Sequence, residues 1–335
     1  MRYVSLFGLI LLLGCSSREA ASPKKDSTAT EKALASGDFP QRPQTVSMPP
    51  IPENLTFAGE KIPLERDDVR EGVEHELIVN TFRHSNTMFI LKRIERWRPL
   101  IEKTLRDNGV PTDFIYLAVA ESEFQNTARS YAGAVGMWQF MPATARDYGL
   151  TISGDVDMRK DPKLATEAAS KYLKWAHKHL GSWSLVAASY NRGLSGVKGI
   201  LNVQQTDNFW DLYLNPETGR YVYRLIAFKL IMENPEDYGY FIRPEDQYQP
   251  YKFKMVRVER NINMIAFAKQ HNTTYKELRE LNPWLINTSS YSLSVPARGY
   301  EIRVPDRAGE EVAEVVPSPS QVVPAQSRPV LKPAK

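Results

Sequence analysis

The chain has 335 residues, 42% of them hydrophobic, which is length enough for two domains and apolar content enough for an ordinary globular core. Its 43 Lys and Arg against 39 Asp and Glu leave a net charge of +4. With no basic stripe interleaved with aromatics, this argues against a nucleic-acid partner, and the single cysteine excludes an internal disulfide framework or a cysteine zinc cluster.

In chain order, Arg2 is a short basic start, Leu6 to Leu13 is almost wholly apolar, and Leu12-Leu13-Gly14-Cys15 follows. The apolar run is too short for a permanent membrane-spanning helix and predicts a processed signal over residues 1–14. The four residues ending in Cys15 resemble the cleavage box of bacterial lipoproteins. That resemblance implies lipidation of Cys15 and a membrane anchor of multiple acyl chains. A general secretory signal with an incidental cysteine is the plainer alternative. Ser16 and Ser17, in place of aspartate, resemble the outer-membrane sorting pattern and imply a cell-envelope location at the outer membrane; the face is not encoded in them, and the periplasmic side is the expectation. Residues 15–66 are rich in Ser, Thr, Lys, Ala and Pro. This composition predicts a disordered tether with a reach of roughly 40 Å.

The globular part is expected from Asp67. His75 to Phe82 and Phe89 to Leu105 show helical spacing and predict two packing helices. Pro111-Thr112-Asp113 reads as a helix start with Thr112 or Asp113 as cap, and the uncharged Phe114 to Ala120 predicts a helix inside the domain. Glu121 falls on the same face as Phe114, Leu117 and Ala118, while Glu123 points elsewhere. A carboxyl group among apolar side chains resists ionisation, which suits a general acid; a helix-terminal Glu that reaches solvent is the plain alternative. Asp161-Pro162 opens a helix through Leu180, with Leu164, Ala168, Tyr172, Trp175 and His179 on one face. His177 and His179, two apart, point to different faces and make a poor metal pair. Ser182 caps Trp183 to Ser189, and Pro216 opens a helix running to about Asn234. Beyond Tyr238, Phe253 to Glu259 and Tyr300 to Val304 predict strands around two short helices, Met264 to His271 and Tyr275 to Leu281. Residues 306–335 carry five prolines and predict a disordered tail.

The stretch after Glu121-Ser122 carries the strongest pattern: Ser130, Gly133-Ala134, Gly136, Gln139, Met141-Pro142 and Thr144-Ala145, followed later by Tyr190-Asn191-Arg192-Gly193. It resembles the lytic transglycosylases with a goose-type lysozyme-like fold, most closely their membrane-bound D-type branch. The likeness runs from about Asp67 to Asn234. It implies a mainly α chain: a lysozyme-like catalytic domain over 67–240, then a small α+β module over 250–305. The βααβ order of that module, with Asn282-Pro283 after its second helix, resembles a degenerate LysM glycan-binding module. Met137-Trp138 departs from the Leu-Met pair of many relatives, in keeping with the D-type branch.

The resemblance implies cleavage of the β-1,4 bond between N-acetylmuramic acid and N-acetylglucosamine in peptidoglycan strands, without water, leaving a 1,6-anhydro end. It implies no cofactor and no metal. Most glycosidases use two carboxyl groups, whereas the matched motif supplies only Glu121, as acid and then base. The muramyl 6-hydroxyl is the nucleophile. Ser130 and Gln139 are candidates to hold the acetamido group and hydroxyls, and Met141 to line the floor. Ser122 suits support of the backbone, and Trp138 suits core or sugar platform. Tyr190 is expected beside the acid to orient it, Asn191 to hold the turn, and Tyr221 to face the cleft. A hydrolase on the same fold, with Asp155, Asp157 or Asp161 as second carboxylate, and a silent glycan-binding lipoprotein are the alternatives.

Overall fold

The computed structural model describes residues 46–307. The signal at 1–14, Cys15, the first part of the tether and the tail beyond Arg307 lie outside the described residues. The described chain is mostly helical with small sheets near its C-terminus.

Helix α1 (Asp67–Phe82) starts with two aspartates, whose charge complements the free amides of its first turn. Helices α2 (His84–Ile94) and α3 (Arg98–Asp107) replace the single helix expected from Phe89 to Leu105. The break has a covalent cause. Pro99 has no N–H and its ring excludes the carbonyl four residues earlier, so it is tolerated only in the first turn of a new helix. Helix α4 (Ile115–Ser122) follows a 3-10 turn at Thr112–Phe114 and has no side-chain cap. Asp113, expected as a cap, instead accepts from the N–H of Ala58 and from Lys229 Nζ, each at 2.7 Å. As its sequence predicts, α4 is buried from Ile115 to Val119.

Helices α5 (Pro142–Asp147), α6 (Pro162–Leu180), α7 (Trp183–Arg192), α8 (Leu194–Gln204) and α9 (Pro216–Glu233) complete the helical body. Asp161 opens α6 by accepting from the N–H groups of Lys163 and Leu164, both at 2.9 Å. The buried face of α6 is the alanine-rich set Ala165, Ala168, Ala169, Leu173 and Ala176. Of the row expected there, only Ala168 is buried, and Trp175 is 44% exposed. Small side chains let α6 pack against both α3 and α7. Helix α9 packs on α1, α4 and α7 and brings Tyr221 beneath the end of α4.

The tether expected to extend to residue 66 does not. Strands β1 (Thr56–Phe57) and β2 (Glu60–Lys61) pair, and Leu55, Phe57, Ile62 and Leu64 are buried in the main core. Phe57 packs edge-on to Phe114, and the Glu60 carboxylate accepts from the N–H groups of Trp183 and Ser184 at the start of α7. Four apolar residues scattered among polar ones leave the average composition tether-like, yet each fills a specific gap.

In the C-terminal module β3 (Phe253–Val258) and β6 (Tyr300–Pro305) are antiparallel, in register from Phe253↔Pro305 to Val258↔Tyr300. Between them lie β4 (Ile262–Asn263), α10 (Met264–Gln270), α11 (Tyr275–Leu281) and β5 (Ser292–Leu293), with β4 paired to β5. The expected βααβ order is present, with one short extra strand pair. The module is docked on the helical body. Arg303 Nη1 lies 2.5 Å from Asp161 Oδ2, both side chains 3% exposed, and the N–H of Asp157 donates to the Trp284 carbonyl at 2.8 Å. Among the described residues no helix is long and apolar enough to cross a membrane.

Candidate active site

Glu121 occupies the last turn of α4, half-buried, and its Oε1 accepts from the Tyr221 hydroxyl at 2.6 Å. Burial pushes its carboxyl above the ordinary value of 4.5, and the nearby charge of Glu217 adds to this. The Tyr221 hydrogen bond and the charge of Arg224 pull the other way. Burial likewise raises the phenols of Tyr221 and Tyr190 well above 10, with the charge of Glu121 adding in both. Both therefore stay protonated at neutral pH and serve as donors. A carboxyl that holds its proton and is oriented by a fixed phenol can protonate a leaving oxygen.

The loop after α4 is shaped by its own polar groups. Glu123 and Phe124 adopt left-handed backbone, which stops the helix, and the Phe124 N–H reaches back to the Ala118 carbonyl at 3.3 Å. Ser122 Oγ lies 2.9 Å from the carbonyls of both Ala118 and Met137, which ties the helix end to the loop. Ser130 Oγ accepts from the N–H of Ala134 at 3.0 Å, and Gln139 Nε2 donates to the Gly136 carbonyl at 2.7 Å. Gly136 has φ +86, and a Cβ there would stand 1.9 Å from the Arg159 carbonyl oxygen. Arg159, paired with Asp157 at 2.8 Å, donates to the carbonyls of Gly133 and Phe140 and clamps the loop. Met141 is 43% exposed at its end, whereas Trp138 is fully buried and donates to Thr166 Oγ1, so Trp138 is core.

The structure brings Glu121 and Tyr221 into hydrogen-bond contact and keeps Tyr190 near enough for the Glu121 charge to act on its phenol. The Tyr190 hydroxyl donates to the Trp138 carbonyl at 2.7 Å, so it fixes the loop backbone while Tyr221 binds the acid. Asn191 Oδ1 accepts from Thr218 Oγ1 at 2.9 Å, joining the end of α7 to the first turn of α9 and thus to Tyr221. The three candidate second carboxylates have structural partners. Asp155 Oδ2 accepts from the N–H of Ser294, Asp157 pairs with Arg159, and Asp161 caps α6 and pairs with Arg303. Two residues bearing on the acid, Glu217 and Arg224, and the partner of that arginine, Glu76, were missed in the sequence. Buried Glu76 of α1 pairs with Arg220 and Arg224 at 2.5 and 3.1 Å. The available signal was two arginines four apart on one face of α9, a pattern that asks for a shared partner.

Residues 98–212 match the family described as Transglycosylase SLT domain, and residues 254–308 match the soluble lytic transglycosylase C-terminal LysM-like domain. The chain carries an SLT transglycosylase domain. The SLT match contains Glu121, Ser130, Gln139, Met141, Tyr190 and Asn191, while Tyr221 lies beyond its end. Over 325 residues the chain is 25% identical to the membrane-bound lytic murein transglycosylase D of Escherichia coli K12, spanning 93% of this chain and 70% of that one. It is 40% identical over 97 residues to the peptidoglycan transglycosylase gp16 of Escherichia phage T7, which is 28% of this chain and 7% of that protein. The solved 70 kDa soluble lytic transglycosylase of Escherichia coli aligns with 42% of this chain and 24% of its own, at 21% identity and a TM-score of 0.35. The likeness to lytic transglycosylases expected from the loop motif, and to a LysM-like module after it, therefore holds along most of the chain.

Proposed function

We propose that the protein is a lytic transglycosylase that cleaves peptidoglycan between N-acetylmuramic acid and N-acetylglucosamine and leaves a 1,6-anhydro end. The observation that carries this reading is the pair at the end of α4, in which a half-buried Glu121 with a raised pKa is held by Tyr221 at 2.6 Å. Protonated Glu121 gives its proton to the glycosidic oxygen as the bond to the muramyl anomeric carbon breaks. The 6-hydroxyl of the same ring attacks that carbon, and the Glu121 carboxylate takes the hydroxyl proton. Atoms balance without water, and the acid is restored. Tyr221 stays protonated throughout and keeps one carboxylate oxygen fixed. Intramolecular attack depends on holding the sugar in its reactive shape, for which the loop bearing Ser130, Gln139 and Met141 is the natural support.

A hydrolase needs a second carboxylate to activate water. With the three aspartates committed elsewhere, Glu217 is the acidic residue whose charge bears on Glu121. Digestion of peptidoglycan in heavy-oxygen water separates the two. The transglycosylase incorporates no label and tolerates Glu217→Gln, whereas a hydrolase labels the reducing end and loses activity with that change. The lipoprotein reading of Cys15, with Ser16 and Ser17, places the domain in the cell envelope at the outer membrane, with the periplasmic side as the expected face. Metabolic labelling with a radioactive fatty acid that is lost in Cys15→Ser tests the anchor.

A further inference from the structure

A cleft of about 690 Å³ opens between the SLT domain and the C-terminal module, with Phe124 to Thr127 of the loop that follows α4 in its wall. Its walls carry five cations, Arg93, Arg96, Lys160, Lys276 and Arg279, against one carboxylate, Glu280. These charges are positioned mainly by aromatic rings and backbone. The Arg96 guanidinium lies 4.8 Å from the Tyr248 ring and 4.6 Å from the Tyr251 ring. Arg279 stands over Tyr275 and donates to its hydroxyl at 2.6 Å, and Arg93 donates to the Glu123 carbonyl at 2.5 Å. Lys276 is 3.8 Å from Glu280, and its side chain is 84% exposed.

A second, independent observation marks the same place. Among the described residues six side chains bury a nitrogen or oxygen with no partner. Three of these atoms, Arg96 Nε, Asn126 Oδ1 and Arg279 Nε, belong to residues that line this cleft. Buried polar groups are normally paired, so Arg96 and Arg279 hold guanidinium charge in the cleft wall that the surrounding protein does not fully satisfy. Burial also lowers the pKa of Lys160, the positive charges of Arg279, Arg159 and Arg129 adding while Asp157 opposes, so an anion there would relieve a standing cost.

We propose that this cleft is a binding site for the carboxylate-bearing groups of a muramyl unit, seated while the neighbouring glycosidic bond lies at Glu121. It would set which strands are preferred, and it rests on the peptidoglycan reading above. The chemistry has two sources on such a strand, the lactyl carboxylate of the sugar and the carboxylates of an attached peptide. Both match planar guanidinium donors, and the aromatic walls give flat contact for a peptide or sugar face.

The test uses the full chain with Glu121→Gln to stop turnover, and titration calorimetry with two probes. One is the N-acetylglucosaminyl-muramic acid disaccharide, and the other is the same disaccharide carrying a tetrapeptide. Arg96→Gln and Arg279→Gln are expected to weaken binding about tenfold, as loss of a charge-assisted contact does. Lys276→Glu, at an exposed helix position that cannot disturb the core, is expected to act in the same direction. Equal loss for both probes assigns the sugar carboxylate as ligand, and loss confined to the peptide-bearing probe assigns the peptide. Unchanged affinity for both probes in all three variants, or no binding of either by the parent chain, overturns the site. The same substitutions with Glu121 intact are assayed on bare glycan. Absence of anhydro product from the parent there overturns the transglycosylase reading alone.

Discussion

Glu121 and Tyr221 stand 100 residues apart in the chain and 2.6 Å apart in the fold. With Glu121 proposed as the proton donor and its pKa raised above 4.5, activity should fall as pH rises through that raised value. Tyr221→Phe removes a hydrogen bond that favours the ionised form, so the alkaline limb of the pH–kcat profile should move upward. At the optimum kcat should drop roughly a hundredfold through lost orientation. A limb that moves down, or stays, contradicts the assigned role. The linkage has a defined sign: a carboxyl whose folded pKa is raised weakens the fold as pH climbs from the unfolded value through the folded one. Glu121→Gln should therefore raise the melting temperature above that window and leave it unchanged below about pH 4.5, read by thermal unfolding across pH. The proposed acid was legible as a candidate, since the six uncharged residues Ile115 to Ala120 precede it in one helix. Its partner was assigned to the nearby Tyr190 because which tyrosine reaches Glu121 depends on how α9 packs under α4, and spacing carries no trace of that.

At the scale of elements, the loop between α4 and α5 is held at several points along its backbone. Left-handed backbone at Glu123, Phe124 and Gln139, the Arg159 clamp and the Gly136 contact all lie within it. Strained conformations of this kind cost of order 1–3 kcal/mol each and persist only where the surroundings over-determine them. Gly136→Ala should destabilise the fold by about 4 kcal/mol or more, because the new Cβ meets backbone that cannot swing aside. Urea denaturation measures this, and a loss under 1 kcal/mol would mean the loop yields freely. Helix ends with a chemical marker, such as Pro162, Pro216 and Gly181, were readable in advance. The division of α2 from α3 was also encoded, in Pro99, but an unbroken apolar spacing across it concealed the stop. The buried alanine face of α6 was missed because large side chains dominate a pattern search while small ones decide how close helices come.

For the whole molecule, the two domains are joined by groups that sequence reading treated as loop or cap residues. Asp161 both caps α6 and pairs with Arg303 from β6 in a fully buried ion pair. Removing one member of such a pair leaves the other charge uncompensated, at a cost of about 3–5 kcal/mol. Arg303→Met should therefore destabilise the chain by that order and free the module from the SLT domain, visible as a lower unfolding midpoint and faster proteolysis near residue 250. Unchanged stability would show that the docking is held by other contacts. This junction was invisible in the sequence because an Asp before a Pro already has a sufficient local explanation. The same holds for residues 46–66, whose average composition reads as tether while Glu60 and Phe57 are fixed into the helical body.

The most direct test of the central claim is mass analysis of the products from purified peptidoglycan, comparing the chain with its Glu121→Gln variant. The account predicts anhydro-muropeptides from the first and none from the second. Reducing-end products from the unaltered chain, or anhydro products that survive Glu121→Gln, would contradict it.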